Sequence, residues 1–232
     1  MLRPSLIASL LLCCLTAAMA PATAQDGLPT TPGPAECIAT LPTMDELLAR
    51  LDATPIPGPA GPSDPKMPTP FALPPDPPAD AAIVTAIAAT IRELVACANT
   101  GHPLYQVPFS TDACLRRTPF TEEWVEFVDI WLGRSGVPVP DPEEQEVLLG
   151  MREARLLTDG RVGALVDWLF PLSVGSPLLQ TEFVTFAEQP DRRWLVDEVV
   201  RNLETQYPST VPGVPTALPE VRTSIDPVLI WC

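Results

Sequence analysis

The chain has 232 residues and carries 29 Asp and Glu against 14 Lys and Arg, a net charge of −15. That balance excludes nucleic acid and anionic membrane as partners, because both need clustered Lys and Arg. One His, no Cys-x-x-Cys pair and no Gly-rich phosphate loop give no metal motif and no reason to expect a cofactor.

In chain order, Arg3, an apolar run over 6–18 and Ala22-Thr23-Ala24 read as a signal peptide over 1–24, too short to serve as a membrane span. Its removal deletes one Arg and no acid, which takes the net charge to −16. Four Cys then remain: Cys37, Cys97, Cys114 and Cys232. An even number in an exported chain predicts two disulfides, with three connectivities open. The expected location is extracellular, free or attached at the cell surface.

Residues 25–54 form a leader. Thr43 and Glu46 have capping-box spacing, and Leu47, Leu48 and Leu51 follow as a short amphipathic helix. Residues 55–78 are Pro-rich and read as a semi-extended linker. The domain spans 79–201. Ile83, Ile87, Ile91, Leu94, Val95 and Ala98 repeat at helical spacing behind Asp80, and Asn99-Thr100-Gly101 stops the helix. Residues 102–117, broken by Pro103 and Pro108, hold one or two helical turns. A second helix covers 121–132, with Trp124, Phe127, Val128 and Trp131 on its apolar face. A loop over 135–142 leads to four strands at 147–157, 161–170, 178–188 and 193–200. The first hairpin turns at Asp159-Gly160, where Gly accepts φ > 0 without steric cost. The last turns at 189–192.

The strand over 161–170 is apolar on both faces, so both need cover. Helices serve one face. A second copy of the chain is expected on the other, giving a homodimer through the outer sheet face. Residues 202–232 are a Pro-rich tail whose apolar end, with Cys232, is expected to be pinned back on the domain. The fold class is therefore α+β: a curved antiparallel four-stranded meander wrapping an N-terminal helix.

Acid–base chemistry would need carboxylates and cations converging in a pocket. Asp112, Arg116 and Asp129 are the catalytic candidates, with Asp167 and Asp197 behind them. Each also has a plain role: Asp112 as a helix-cap or turn residue, Asp129 on a wet helix face, and the strand acids pointing outward. Nucleophilic triads fail for want of parts, since His102 is the lone His, on a predicted turn, and no Gly-x-Ser-x-Gly occurs. Tyr105 and Phe109, in the irregular segment over 102–117, are the candidates for ligand contact.

The helix end Leu94-Val95-Ala96-Cys97-Ala98-Asn99-Thr100-Gly101, then Asp112 and Leu115-Arg116-Arg117, and the final hairpin with Phe183-Val184-Thr185-Phe186 and Arg193-Trp194-Leu195-Val196-Asp197-Glu198-Val199 resemble the nuclear transport factor 2-like superfamily. That group includes SnoaL-like cyclases and ketosteroid isomerases, and the likeness is to a secreted bacterial branch over roughly 80–201. It implies a cone-shaped α+β barrel with an apolar pocket, mouthed by the Tyr105–Phe109 segment. Ketosteroid isomerase chemistry is not implied: aligned on the helix-ending Asn-x-Gly, the required Tyr falls on Leu94 and the Asp base on Thr118. Similar exported proteins carry a Cys in the leader and another late in the first helix. This implies Cys37–Cys97 with Cys114–Cys232, while Cys97–Cys114 with Cys37–Cys232 stays open. The function expected is a non-catalytic module that binds a small apolar ligand or a protein partner. Alternatives are a small-molecule isomerase, cyclase or hydrolase, and a structural component of the cell envelope.

Overall fold

The computed structural model describes residues 31–52, 70–118, 122–133, 139–170, 177–201, 203 and 205–210. The expected signal peptide, most of the Pro-rich stretch, the end of the tail and Cys232 lie outside the described residues. Among the described residues four α-helices precede four strands: α1 (Met44–Asp52), α2 (Ala81–Ala98), α3 (Asp112–Arg117), α4 (Glu122–Leu132), then β1 (Val147–Leu156), β2 (Val162–Phe170), β3 (Leu178–Glu188) and β4 (Trp194–Val200). The strands form one antiparallel sheet in the order β1-β2-β3-β4. The meander and the α+β class are as the sequence predicts.

Helix α1 starts on the capping box. Thr43 N–H donates to Glu46 Oε2 at 2.8 Å, and Glu46 N–H donates to Thr43 Oγ1 at 3.2 Å, so two otherwise orphaned amides are satisfied. The β1–β2 turn also follows the prediction. Leu157 N–H donates to Arg161 O at 2.8 Å, and Gly160 sits at φ 86°, where a Cβ would meet the carbonyl oxygen.

Strand parity divides the sheet into two faces. On the inner face Val162, Ala164, Val166, Trp168 and Phe170 of β2, with Val184 and Phe186 of β3, pack against Ile87, Ile91, Leu94 and Val95 of α2. Each buried Ile, Leu or Val contributes about 1.5–3 kcal/mol, which outweighs the modest helix propensity of its β-branched residues. By length and composition α2 could cross a membrane, with mean hydropathy 1.7; here its apolar stripe lies on the sheet.

The outer face carries Leu165 and Phe183. They pack beside Val200 of β4 and are covered by Phe71, Leu73, Leu203 and Tyr207 of the same chain. The cover expected from a second copy is thus supplied by the chain's own flanks, and that ground for a dimer falls. Two bonds stitch the flanks together: Tyr207 Oη donates to Phe71 O at 3.1 Å and accepts from Leu73 N–H at 3.1 Å. Arg152, on β1, donates to Tyr207 O at 2.7 Å. Pro77 to Ala79 also run along β1, with Leu156 N–H donating to Pro77 O and Ala79 N–H to Ala154 O.

The leader is part of this body as well. Met44 and Leu47 are buried with Leu104, Val107, Leu115 and Val128. Cys37 is disulfide-bonded to Cys97, with Cα atoms 4.7 Å apart, which leaves no place for a Cys97–Cys114 bridge. Cys114 is disulfide-bonded too, and its partner lies outside the described residues. The folded unit is therefore wider than 79–201, because its small cores are completed by residues that composition assigns to leader, linker and tail. A disulfide in place also fits an oxidising compartment.

Candidate functional site

The three catalytic candidates do not converge. Thr111 caps α3, accepting from Cys114 N–H at 3.0 Å, and this fixes Asp112 on the first turn. Its carboxylate takes the Arg50 Nε–H of α1 at 2.5 Å, while Arg50 Nη1 and Nη2 donate to Val107 O at 2.7 Å and Ser110 O at 2.6 Å. Asp112 thus closes a clasp between α1 and the irregular segment. Arg116 lies one turn on, half-buried, and its Nη1 finds no hydrogen-bond partner among the described residues. Asp129 stands exposed on α4, in agreement with its plain role, with no ion pair among the described residues.

The remaining strand acids are structural. Asp167 is buried, accepting from Thr181 Oγ1 at 2.7 Å and from Arg152 Nε at 3.1 Å. Asp197 takes Thr111 Oγ1 at 2.7 Å and Arg161 Nη1 at 2.8 Å, tying α3, β2 and β4 together. The expectation that both point into water fails; each has a charged or hydroxyl partner that the local sequence does not announce.

Tyr105 and Phe109 are core side chains. Tyr105 Oη donates to Glu146 Oε1 at 3.3 Å and accepts from Gln106 Nε2 at 2.9 Å. The expected position at a cavity mouth is replaced by packing under α2. His102 is half-buried rather than fully solvated. Its Nδ1 accepts from Leu104 N–H at 3.2 Å, and burial pulls its pKa below the ordinary value.

What sequence reasoning missed is the polar cluster on the inner face. Glu182 is 0% exposed. It stands opposite Val166, on the same side of β3 as Val184 and Phe186. Gln180 Nε2 donates to its Oε1 at 2.9 Å, and Arg201 Nε lies 3.6 Å from the same oxygen. A carboxylate taken out of water needs such partners, since an unpaired one costs several kcal/mol. The signal was available: Gln180, Glu182, Val184 and Phe186 share one parity, so a strand with Phe186 inside puts Glu182 inside.

A cleft of about 510 Å³ opens elsewhere, between α1, the irregular segment and the β3–β4 turn. Arg50, Pro108, Gln189, Asp191, Arg193 and Leu195 line it. Its cations are already engaged, Arg50 by Asp112 and Arg193 by Asp191 at 2.7 Å. The Arg193 side chain, followed by its N–H, holds the Asp191 carboxyl below the usual range. Among the described residues the lining brings no Ser, Thr, Cys or His, and its one carboxylate, Asp191, is taken by Arg193.

Among the described residues no group of His, Cys, Asp and Glu is placed to hold a metal ion. Comparison with family models, with curated proteins and with solved structures returns no match.

Proposed function

We propose that the chain is an exported, non-catalytic module of the nuclear transport factor 2-like type, a sheet curled toward a cone, that binds a protein partner through its surface. The observation that carries this reading is the employment of its charged groups. Asp112, Asp167 and Asp197 each serve an Arg that joins two elements, and Asp129 faces water on a different helix. General acid–base catalysis needs a titratable group within reach of a substrate proton, and these are spread over β2, β4 and two helices. The order helix, short helices, meander supports the family reading, and Cys37–Cys97 supports export. Native mass spectrometry of the mature protein from its own host tests the proposal. The oxidised chain should appear without a stoichiometric small-molecule adduct; a persistent adduct overturns it.

A second reading draws on Glu182. A buried carboxylate beside Gln180, on the sheet face that also carries Trp168, is the kind of group that orients a small molecule or moves a proton. Under this reading Glu182→Gln abolishes an adduct that the wild type carries. Under the first reading the substitution changes thermal stability alone.

A further inference from the structure

A module that binds a protein through its surface needs a face to offer, and the layer formed by α1 and α4 supplies one; the inference rests on the non-catalytic reading. The two helices meet through Met44 and Leu47 against Val128. Together their sequences hold seven acids and one cation, Arg50, and Arg50 is held by Asp112. On the solvent side of α4, Phe127 is 39% exposed and Ile130 52%, three residues apart and so on one stripe. Glu126 and Asp129 stand beside them, both exposed. Large apolar side chains left in water on one helix face, bordered by carboxylates, mark an interaction surface.

Charge decides among occupants. A second copy would bring a like-charged layer against this one, and an anionic bilayer would be repelled in the same way. We infer that the α4 face docks a basic amphipathic segment of a partner protein, whose apolar side chains cover Phe127 and Ile130 and whose Lys or Arg reach Glu126 and Asp129. The apolar pair supplies most of the affinity, and the carboxylates supply selectivity and association rate.

The test is titration of the full mature chain with a helical Leu/Lys peptide, with a Leu/Glu peptide of the same pattern as comparison. The Leu/Lys peptide is expected to bind with a micromolar Kd that weakens as salt rises, and the Leu/Glu peptide not to bind. Phe127→Ser with Ile130→Ser, and separately Glu126→Gln with Asp129→Asn, should each weaken binding about tenfold or more. Ile38→Ser, at an exposed apolar residue of the leader (84%), should leave binding unchanged. The charge-neutral pair keeps the packing of α4, so it reports even if the apolar pair loosens the helix. Equal binding to all variants, equal binding of the Leu/Glu peptide, or no saturable binding overturns the inference. Those outcomes are distinct from the stoichiometric adduct that would overturn the non-catalytic reading.

Discussion

Arg192 occupies the left-handed region at φ 66°, at the place in the β3–β4 turn where the β1–β2 turn has Gly160 at φ 86°. The two turns close alike, Gln189 N–H to Arg193 O at 2.7 Å and Leu157 N–H to Arg161 O at 2.8 Å. A side chain there costs about 1–2 kcal/mol, whereas Gly adds about 0.5–1 kcal/mol of unfolded-state entropy. The Arg192–Glu188 pair, at 3.6 Å on an exposed surface, returns little. Arg192→Gly should therefore stabilise the protein by about 0.5 kcal/mol, read as a rise in calorimetric midpoint. His102 gives a second handle at this scale, since it is the chain's one His. Its folded pKa is lowered by burial, so the unfolded chain takes up the proton first. The stability is complete above the ordinary value of about 6.5 and falls as pH drops below it. Glu36, Asp159 and Asp191 are also lowered, chiefly by hydrogen bonds from the Arg92 side chain, the Arg161 N–H and the Arg193 side chain. As acids they lose their contribution only as pH falls below about 4.5. Urea midpoints should thus decline from pH 6.5 to about 5 in wild type and stay flat in His102→Asn.

Helix α1 is held by a polar side chain as well as by its buried Met44 and Leu47. Arg50 makes three hydrogen bonds into the irregular segment and α3, two of them to carbonyls that would otherwise need water. Arg50→Ala should cost about 1–3 kcal/mol and expose α1 to limited proteolysis before the sheet opens; simultaneous loss of both would contradict the clasp. Within the sheet, a Cβ on Gly163 would fall into the Phe183 ring. Gly163→Ala should cost about 1–3 kcal/mol by chemical unfolding, and Phe183→Leu should recover part of it. Local signals make much of this architecture legible. The Thr43–Glu46 box, the α2 stripe and Asp159-Gly160 each act within a few residues, and the strand ends fall within a residue of those predicted. The clasp is not legible, because Arg50 and Asp112 are 62 positions apart and each alone reads as an ordinary surface charge. Glu182 is readable from parity, but a carboxylate on a buried face runs against the usual cost of burial, so pattern reading passes over it.

For the whole molecule, the boundary of the folded unit is the main departure from sequence expectation. Pro-rich composition argues against a core, yet Phe71 and Leu73 at the end of that stretch cover Phe183 and Leu165 together with Tyr207, since an extended strip can roof a sheet without building one. A fragment over 79–201 lacks Met44, Leu47, Cys37, Phe71 and Tyr207 and should show the collapsed near-ultraviolet dichroism of a loosely packed state. A fragment over 31–210 should keep a cooperative transition. The covalent join of Cys37 to Cys97 carries a further, mechanical meaning. Tension applied ahead of Cys37 passes straight through the sulfur bridge to the last turn of α2, 60 positions along. The chain between the two sulfurs, with α1, the Pro-rich stretch and nearly all of α2, is bypassed and bears no load. Pulled from that end, the protein cannot pay out this slack unless the bridge is first reduced, so the share of its extensible length held in this loop is set by thiol chemistry rather than by the strength of its packing.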